Sequence, residues 1–192
     1  MSFWSMILAF SPWVAFKLLL QLPVQNELLL LKGAIVVAAL ICAYRAIKGL
    51  DKGIIAWGSG LFFLLSLIMV VGLTNIWYMK HLGLFSSGTL AALTWASIVQ
   101  GKPFTLVYAK QKVAMQYWDS PGFIHKNYKI SGAWGVSFSI GLIDAFVRQL
   151  YPEMPGYMSE IIDDGAMILA ILYTTHLSKA PKEMMRTDSV DA

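Results

Sequence analysis

The chain has 192 residues, 57% hydrophobic and only 14% charged, with mean hydropathy +0.62 and a formal net charge of +4. Soluble domains carry about a quarter charged residues, so this chain holds more apolar side chains than one soluble core of its length can hide. That excludes a disordered chain, a disulfide scaffold built on the lone Cys42 and a basic nucleic-acid-binding domain, and it predicts an all-α, polytopic membrane helix bundle.

A hydrocarbon core about 30 Å thick is crossed by roughly 20 apolar residues in a helix, and in chain order the sequence offers six such runs. The first, Phe3–Leu22, has no Lys or Arg ahead of it, unlike a cleavable signal, and is interrupted by Pro12 and Lys17. Glu27–Ala46, Gly53–Leu73 and Leu82–Gln100 follow. The connection over residues 101–130 is longer than a plain loop. Within it Phe104, Val107, Tyr108, Met115 and Trp118 share one helical face, while Lys110, Lys112 and Gln116 fall elsewhere. This pattern predicts a cytoplasmic, interfacial amphipathic helix between the fourth and fifth spans. Ser120-Pro121 suits an N-cap and first helical position, so the fifth helix is expected to begin at Pro121 and cross the membrane as Ser131–Leu150. Met158–Ser178 is the sixth span. Residues 1–178 are then one transmembrane bundle, and 179–192 a polar cytoplasmic tail.

With the N-terminus inside, the cytoplasmic side receives Arg45, Lys48, Lys52, Lys102, Lys110, Lys112, Lys126, Lys129, Lys179, Lys182 and Arg186. The outer side receives only Lys17, Lys32, Lys80 and Arg148. The positive-inside rule selects this orientation, with both termini cytoplasmic.

Motifs for nucleotide binding, serine hydrolysis, zinc hydrolysis and dithiol chemistry are absent from the sequence. Gly58-Ser59-Gly60 in the third span, and Ser131, Gly135 and Ser139 in the fifth, read as close-packing surfaces. His81 lies on the opposite side of the membrane from His125 and His176, and no carboxylate or cysteine spacing joins them into a metal or haem site, so no cofactor is expected. The sharper signal is ionic. Lys17, Lys32, Asp144, Arg148, Asp163 and Asp164 all fall near the outer ends of their helices, in one polar intramembrane layer. Asp144 and Arg148, four residues apart, are spaced to pair. Either these groups line an outward-facing cavity or ion pathway, or they snorkel to the surface.

Gly101-Lys102-Pro103-Phe104-Thr105-Leu106, followed by Tyr117-Trp118, Asn127, Trp134 and Phe138, and preceded near the start by Ser11-Pro12-Trp13, resembles a group of uncharacterised bacterial inner-membrane proteins. Those proteins in turn are distantly similar to intracellular septation protein A. The resemblance implies a multi-pass inner-membrane protein without a known catalytic activity, acting in the cell envelope as a scaffold or accessory subunit through contacts with other membrane proteins or with its own copies. It makes Lys102, Pro103, Phe104, Tyr108, Trp118, Asn127 and Trp134 candidates for a structural hinge or an interfacial docking surface, where lysines and aromatics also suit anionic lipid headgroups. A small transporter or channel using the outer polar layer is the alternative.

Overall fold

A computed structural model describes residues 8, 10–50, 53–111 and 113–179. The start of the first predicted span, Lys52, Lys112 and all of the predicted tail after Lys179 lie outside these residues. The described chain is helical, with no strand among the described residues. Its helices are α1 (Ser11–Leu20), α2 (Glu27–Ile47), α3 (Ile54–Ser66, continued by a π-helical turn Leu67–Gly72), α4 (Ile76–Lys80), α5 (Leu82–Val99), α6 (Thr105–Lys110), α7 (Pro121–Leu150) and α8 (Gly156–Lys179). Four of them are long and apolar enough to cross a membrane: α2, α3 with its π turn, α5 and α7.

Short connections make sequential helices neighbours: α1 packs on α2, α2 on α3, α3 on α5, α5 on α7, and α7 on α8. α1 is the exception to this nearest-neighbour order, because its aromatic side reaches across the bundle. Trp13 stacks on Phe62 and meets Phe63 of α3 at a tilt, each with ring centroids 4.8 Å away, and its Nε1 donates to Ser59 Oγ at 2.7 Å. Just before α1, Phe10 lies flat against Trp134 of α7 at 5.5 Å and edge-on to Phe104. Outward faces are lined by large apolar side chains such as Leu40, Leu61, Leu64, Ile143 and Leu169. An apolar exterior around a core that still holds hydroxyls is the arrangement a lipid solvent favours.

Three local signals set these boundaries. Asn26 and Asn75 cap α2 and α4 by accepting from Leu29 N and Tyr78 N. Ser120 caps α7, with Pro121 at its first position as the sequence predicts, and the helix runs 30 residues from there. Gly101 ends α5 with φ +74°: its N–H donates to Ile98 O and that of Lys102 to Ser97 O, both at 3.0 Å. This paired closure is a Schellman turn, whose left-handed residue suits glycine.

The predicted amphipathic helix is corrected in one respect, its continuity. After Gly101 the chain folds back against the bundle, and Phe104 and Tyr108 are buried. The helical face assembled from Phe104 to Trp118 is not continuous. α6 stops at Lys110, Ala114 is extended (ψ 144°), and Met115–Tyr117 form a separate 3-10 turn. Trp118 Nε1 donates to Val113 O at 2.9 Å, and Lys110 Nζ stands 5.0 Å over its ring, contacts that fold the segment upon itself.

At Gly58 the predicted close packing is realised. A β-carbon there would lie 2.3 Å from Leu93 Cδ1, whereas one at Gly60 would meet nothing within 4 Å. Gly58→Ala should therefore cost about 1–3 kcal/mol by pushing α3 from α5, and Gly60→Ala should be neutral or mildly stabilising. Unfolding midpoints in mild detergent check this, and equal midpoints for the two variants would refute it.

Candidate functional site

Polar residues inside a helix bundle must find partners there, so the site is best built from where each charge finds one. Lys17, near the end of α1, forms an ion pair with Asp164 of α8, the only salt bridge among the described residues. The pair is half-exposed, with side-chain accessibilities of 40% and 46%, so it ties the first helix to the last more than it stabilises either. Asp144 of α7 is buried and accepts from Ser159 Oγ of α8 at 3.0 Å. Asp163, one residue before the paired Asp164, has a buried Oδ1 with no hydrogen-bond partner. Its charge is felt alongside those of Asp144, Lys17, Asp164 and Arg148.

Five of the six predicted layer residues thus converge around α7 and α8. Lys32 does not join them: its Nζ donates to Thr74 Oγ1 at 2.8 Å, across from α2 to the end of the π turn. Thr74 has φ +48°, a left-handed conformation that a β-branched residue adopts only at a cost, and the lysine ammonium meets it where the carbonyls of the preceding helix end. The predicted Asp144–Arg148 pair is not formed. Asp144 turns inward to Ser159, while Arg148, the next turn along at the helix end, is exposed and lies beside Gly156.

Glycine and serine bring the carboxylates close. A β-carbon at Gly141 would sit 3.2 Å from Asp163 Oδ1 and 3.5 Å from Ser87 Oγ, so α7 packs close on α5 and α8 there and a side chain would press on Asp163. Ser87, Gly141 and Ser159 belong to this site, and sequence reasoning overlooked all three. The usable signal was small or hydroxyl residues facing carboxylates at helical spacing.

The predicted docking residues fare differently. Pro103, Phe104, Tyr108, Asn127 and Trp134 are all buried, Lys102 is exposed, and Trp118 is partly so. The five buried residues pack in the interior. Thr105 Oγ1 donates to Asn127 O at 3.0 Å and lies 2.9 Å from Ser131 Oγ, Phe104 N donates to Ser97 Oγ, and Trp134 Nε1 donates to Thr174 Oγ1. Together these bonds pin the inturned segment and α8 onto α7.

No protein-family model, curated protein or solved structure matches the chain. Chemistry must therefore be read from the groups present. Among the described residues no group of three His, Cys, Asp or Glu side chains is arranged to hold a metal ion. His81 instead places Nδ1 2.7 Å from Trp77 O and packs on the Trp77 ring. What the carboxylate cluster can do is exchange a proton, since Asp163 keeps an unbonded acceptor oxygen beside two further carboxylates and one ion-paired lysine.

Proposed function

We propose that the chain is a six-span, multi-pass protein of the bacterial inner membrane, with both termini cytoplasmic, which moves protons or small cations and catalyses no covalent chemistry. Two further spans join the four apolar ones in this reading, α8 and the apolar run Phe3–Leu22, of which α1 is the described helix. Support for α8 comes from its two-sidedness: Ile161, Ile168, Leu169 and Leu172 face outward, whereas Ser159, Ala166, Ala170 and Thr174 face the bundle. Its 24 residues reach about 36 Å, sufficient for a bilayer core.

The single observation that carries the function is Asp163, a carboxylate oxygen buried without a hydrogen-bond donor inside a membrane-type bundle. A charge so placed is expensive and is ordinarily kept for ion or proton handling. Full-length chain reconstituted into lipid vesicles, with a pH gradient or a cation gradient imposed, tests this. The wild type should dissipate one of the gradients, Asp163→Asn should abolish that flux, and Asp164→Asn should impair it, with assembly unchanged by gel filtration. Wild-type flux in both variants and in the double variant would end the proposal.

An accessory-subunit role, which the family resemblance implies, is the second reading; of its seven candidate residues Lys102 and Trp118 are the accessible ones. Its own mark is a stoichiometric heteromeric partner surviving gentle extraction. Lys102, Lys126 and Lys129 on the side assigned to the cytoplasm suit anionic headgroups under either reading.

A further inference from the structure

Buried polar atoms almost always find partners, so the exceptions are informative. Among the described residues three side-chain atoms are buried without one: Thr94 Oγ1, Asn127 Oδ1 and Asp163 Oδ1. The first two belong to neutral groups, and Thr94 sits in close packing, where a β-carbon at Gly135 would meet the Trp95 indole at 3.0 Å and Thr94 Cγ2 at 3.4 Å. Only Asp163 can carry a charge, and a bare carboxylate in a membrane bundle needs compensation. Its surroundings are mixed. α7 brings Asp144, already bonded to Ser159, and the exposed Arg148; α8 itself brings Asp164, and α1 brings Lys17. α5, which carries no charged residue, brings the Ser87 hydroxyl. Three carboxylates thus face two cations, and a single proton balances the cluster.

Of the two cations Lys17 weighs more on Asp163, and it is engaged with the neighbouring Asp164. Asp163 and Asp164 are consecutive, with Cα atoms about 3.8 Å apart, so an ammonium on a flexible four-carbon stem passes between their carboxylates by changing rotamer. Asp163 is partly exposed, which gives the ammonium an open side to approach while Oδ1 stays against Gly141. The two carboxylates differ in what they lose without it. Asp164, with its side chain 46% exposed, is open to hydration, whereas Asp163 Oδ1 is buried and has no donor. Lys32 offers the contrast: it is held by Thr74, away from the carboxylates.

We propose that the ion exchanged at Asp163 is a proton and that Lys17 is its counter-ion, passing from Asp164 to Asp163 as the proton leaves and back as it returns. This rests on the transport reading of the site and narrows it to one ion. With Asp163 protonated, the cluster holds two anions and two cations. On release the carboxyl O–H breaks, water accepts the proton, and Lys17 neutralises the carboxylate left behind while water takes its place at Asp164. Lys17 gives up no proton of its own; it is a positioning residue that makes the charged form of Asp163 affordable within the bundle.

Full-length chain in lipid vesicles tests both halves. A pH gradient should decay through the wild type while sodium and potassium gradients persist; decay of a metal-ion gradient alone would uphold transport and overturn the proton. Lys17→Gln should cut proton flux about tenfold, the weight of one neighbouring charge on a carboxylate, with the unfolding midpoint unchanged because the ion pair is half-exposed. Lys17→Arg keeps the charge and should retain about half of the flux or more. A purely structural tie between α1 and α8 would be broken alike by Lys17→Gln and Asp164→Asn. The counter-ion role instead moves the pH of half-maximal flux in opposite directions in these two variants, because one removes a cation from beside Asp163 and the other an anion. Shifts in the same direction, or a Lys17→Arg chain as slow as Lys17→Gln, would overturn the counter-ion. If Asp163→Asn abolishes flux and Lys17→Gln keeps it at the wild-type level, the counter-ion is refuted with the function intact. A wild type without any flux overturns both.

Discussion

Trp13→Ala should lower the stability of the purified chain by about 3–5 kcal/mol, the largest loss expected from any single truncation in the bundle. The indole lies between Phe62 and Phe63, both 4.8 Å away, and is 9% exposed. In a bilayer the apolar contact is not sustained by exclusion of water, because lipid tails are as apolar as the core; it is sustained by dispersion between atoms in close contact. A cavity between α1 and α3 forfeits those contacts outright. Trp13→Phe keeps most of the ring but removes the donor to Ser59 Oγ, and should cost about 1–2 kcal/mol. Titration with a denaturing detergent, followed by helical circular dichroism, would order the variants. The outward Leu64→Ala is the reference, and a Trp13→Ala midpoint no lower than that of Leu64→Ala would contradict the packing described.

Phe104→Ala carries a comparable expected loss, about 3–4 kcal/mol, with an additional local consequence. The ring is 1% exposed and packs edge-on against Phe10 and Tyr108, at 6.0 and 6.5 Å. It is the anchor of a segment otherwise held by hydroxyl hydrogen bonds from Thr105. Without it the stretch from Gly101 to Trp118 should loosen before the bundle does. Limited trypsin digestion then cuts after Lys110, which is followed by Gln111, severalfold faster than in wild type, at a temperature well below the global midpoint. Cleavage unchanged at Lys110 would show that the hydrogen bonds alone secure the segment.

Much of this architecture was legible in the residues. Runs of apolar side chains located the helices within a few positions, and Ser120-Pro121 marked the start of α7. What composition could not convey was direction. Phe104, Tyr108 and Trp118 have an interfacial spacing, and only the left-handed turn at Gly101, read together with Pro103, indicates that the chain re-enters the bundle. The charged layer was legible as a set but not as partners. Asp144 and Arg148 have ideal helical spacing, yet Asp144 bonds Ser159, because a partner on a neighbouring helix depends on how the helices rotate against one another. Lys32 was grouped with the carboxylates by depth alone, and Thr74, its actual partner, gave no sign in a run of apolar residues. The interior hydroxyls at Thr94, Ser97 and Thr105 passed unnoticed for the same reason: isolated in sequence, they meet only across helices.

The ion pair between Lys17 and Asp164 joins α1 to α8, 147 residues apart in the chain. Chains emerge from the ribosome N-terminus first, so the lysine is made long before its carboxylate and the pair can form only once α8 is in place. Closure of α1 on α8 is therefore a late contact, and its half-exposed groups leave the two helices joined rather than locked.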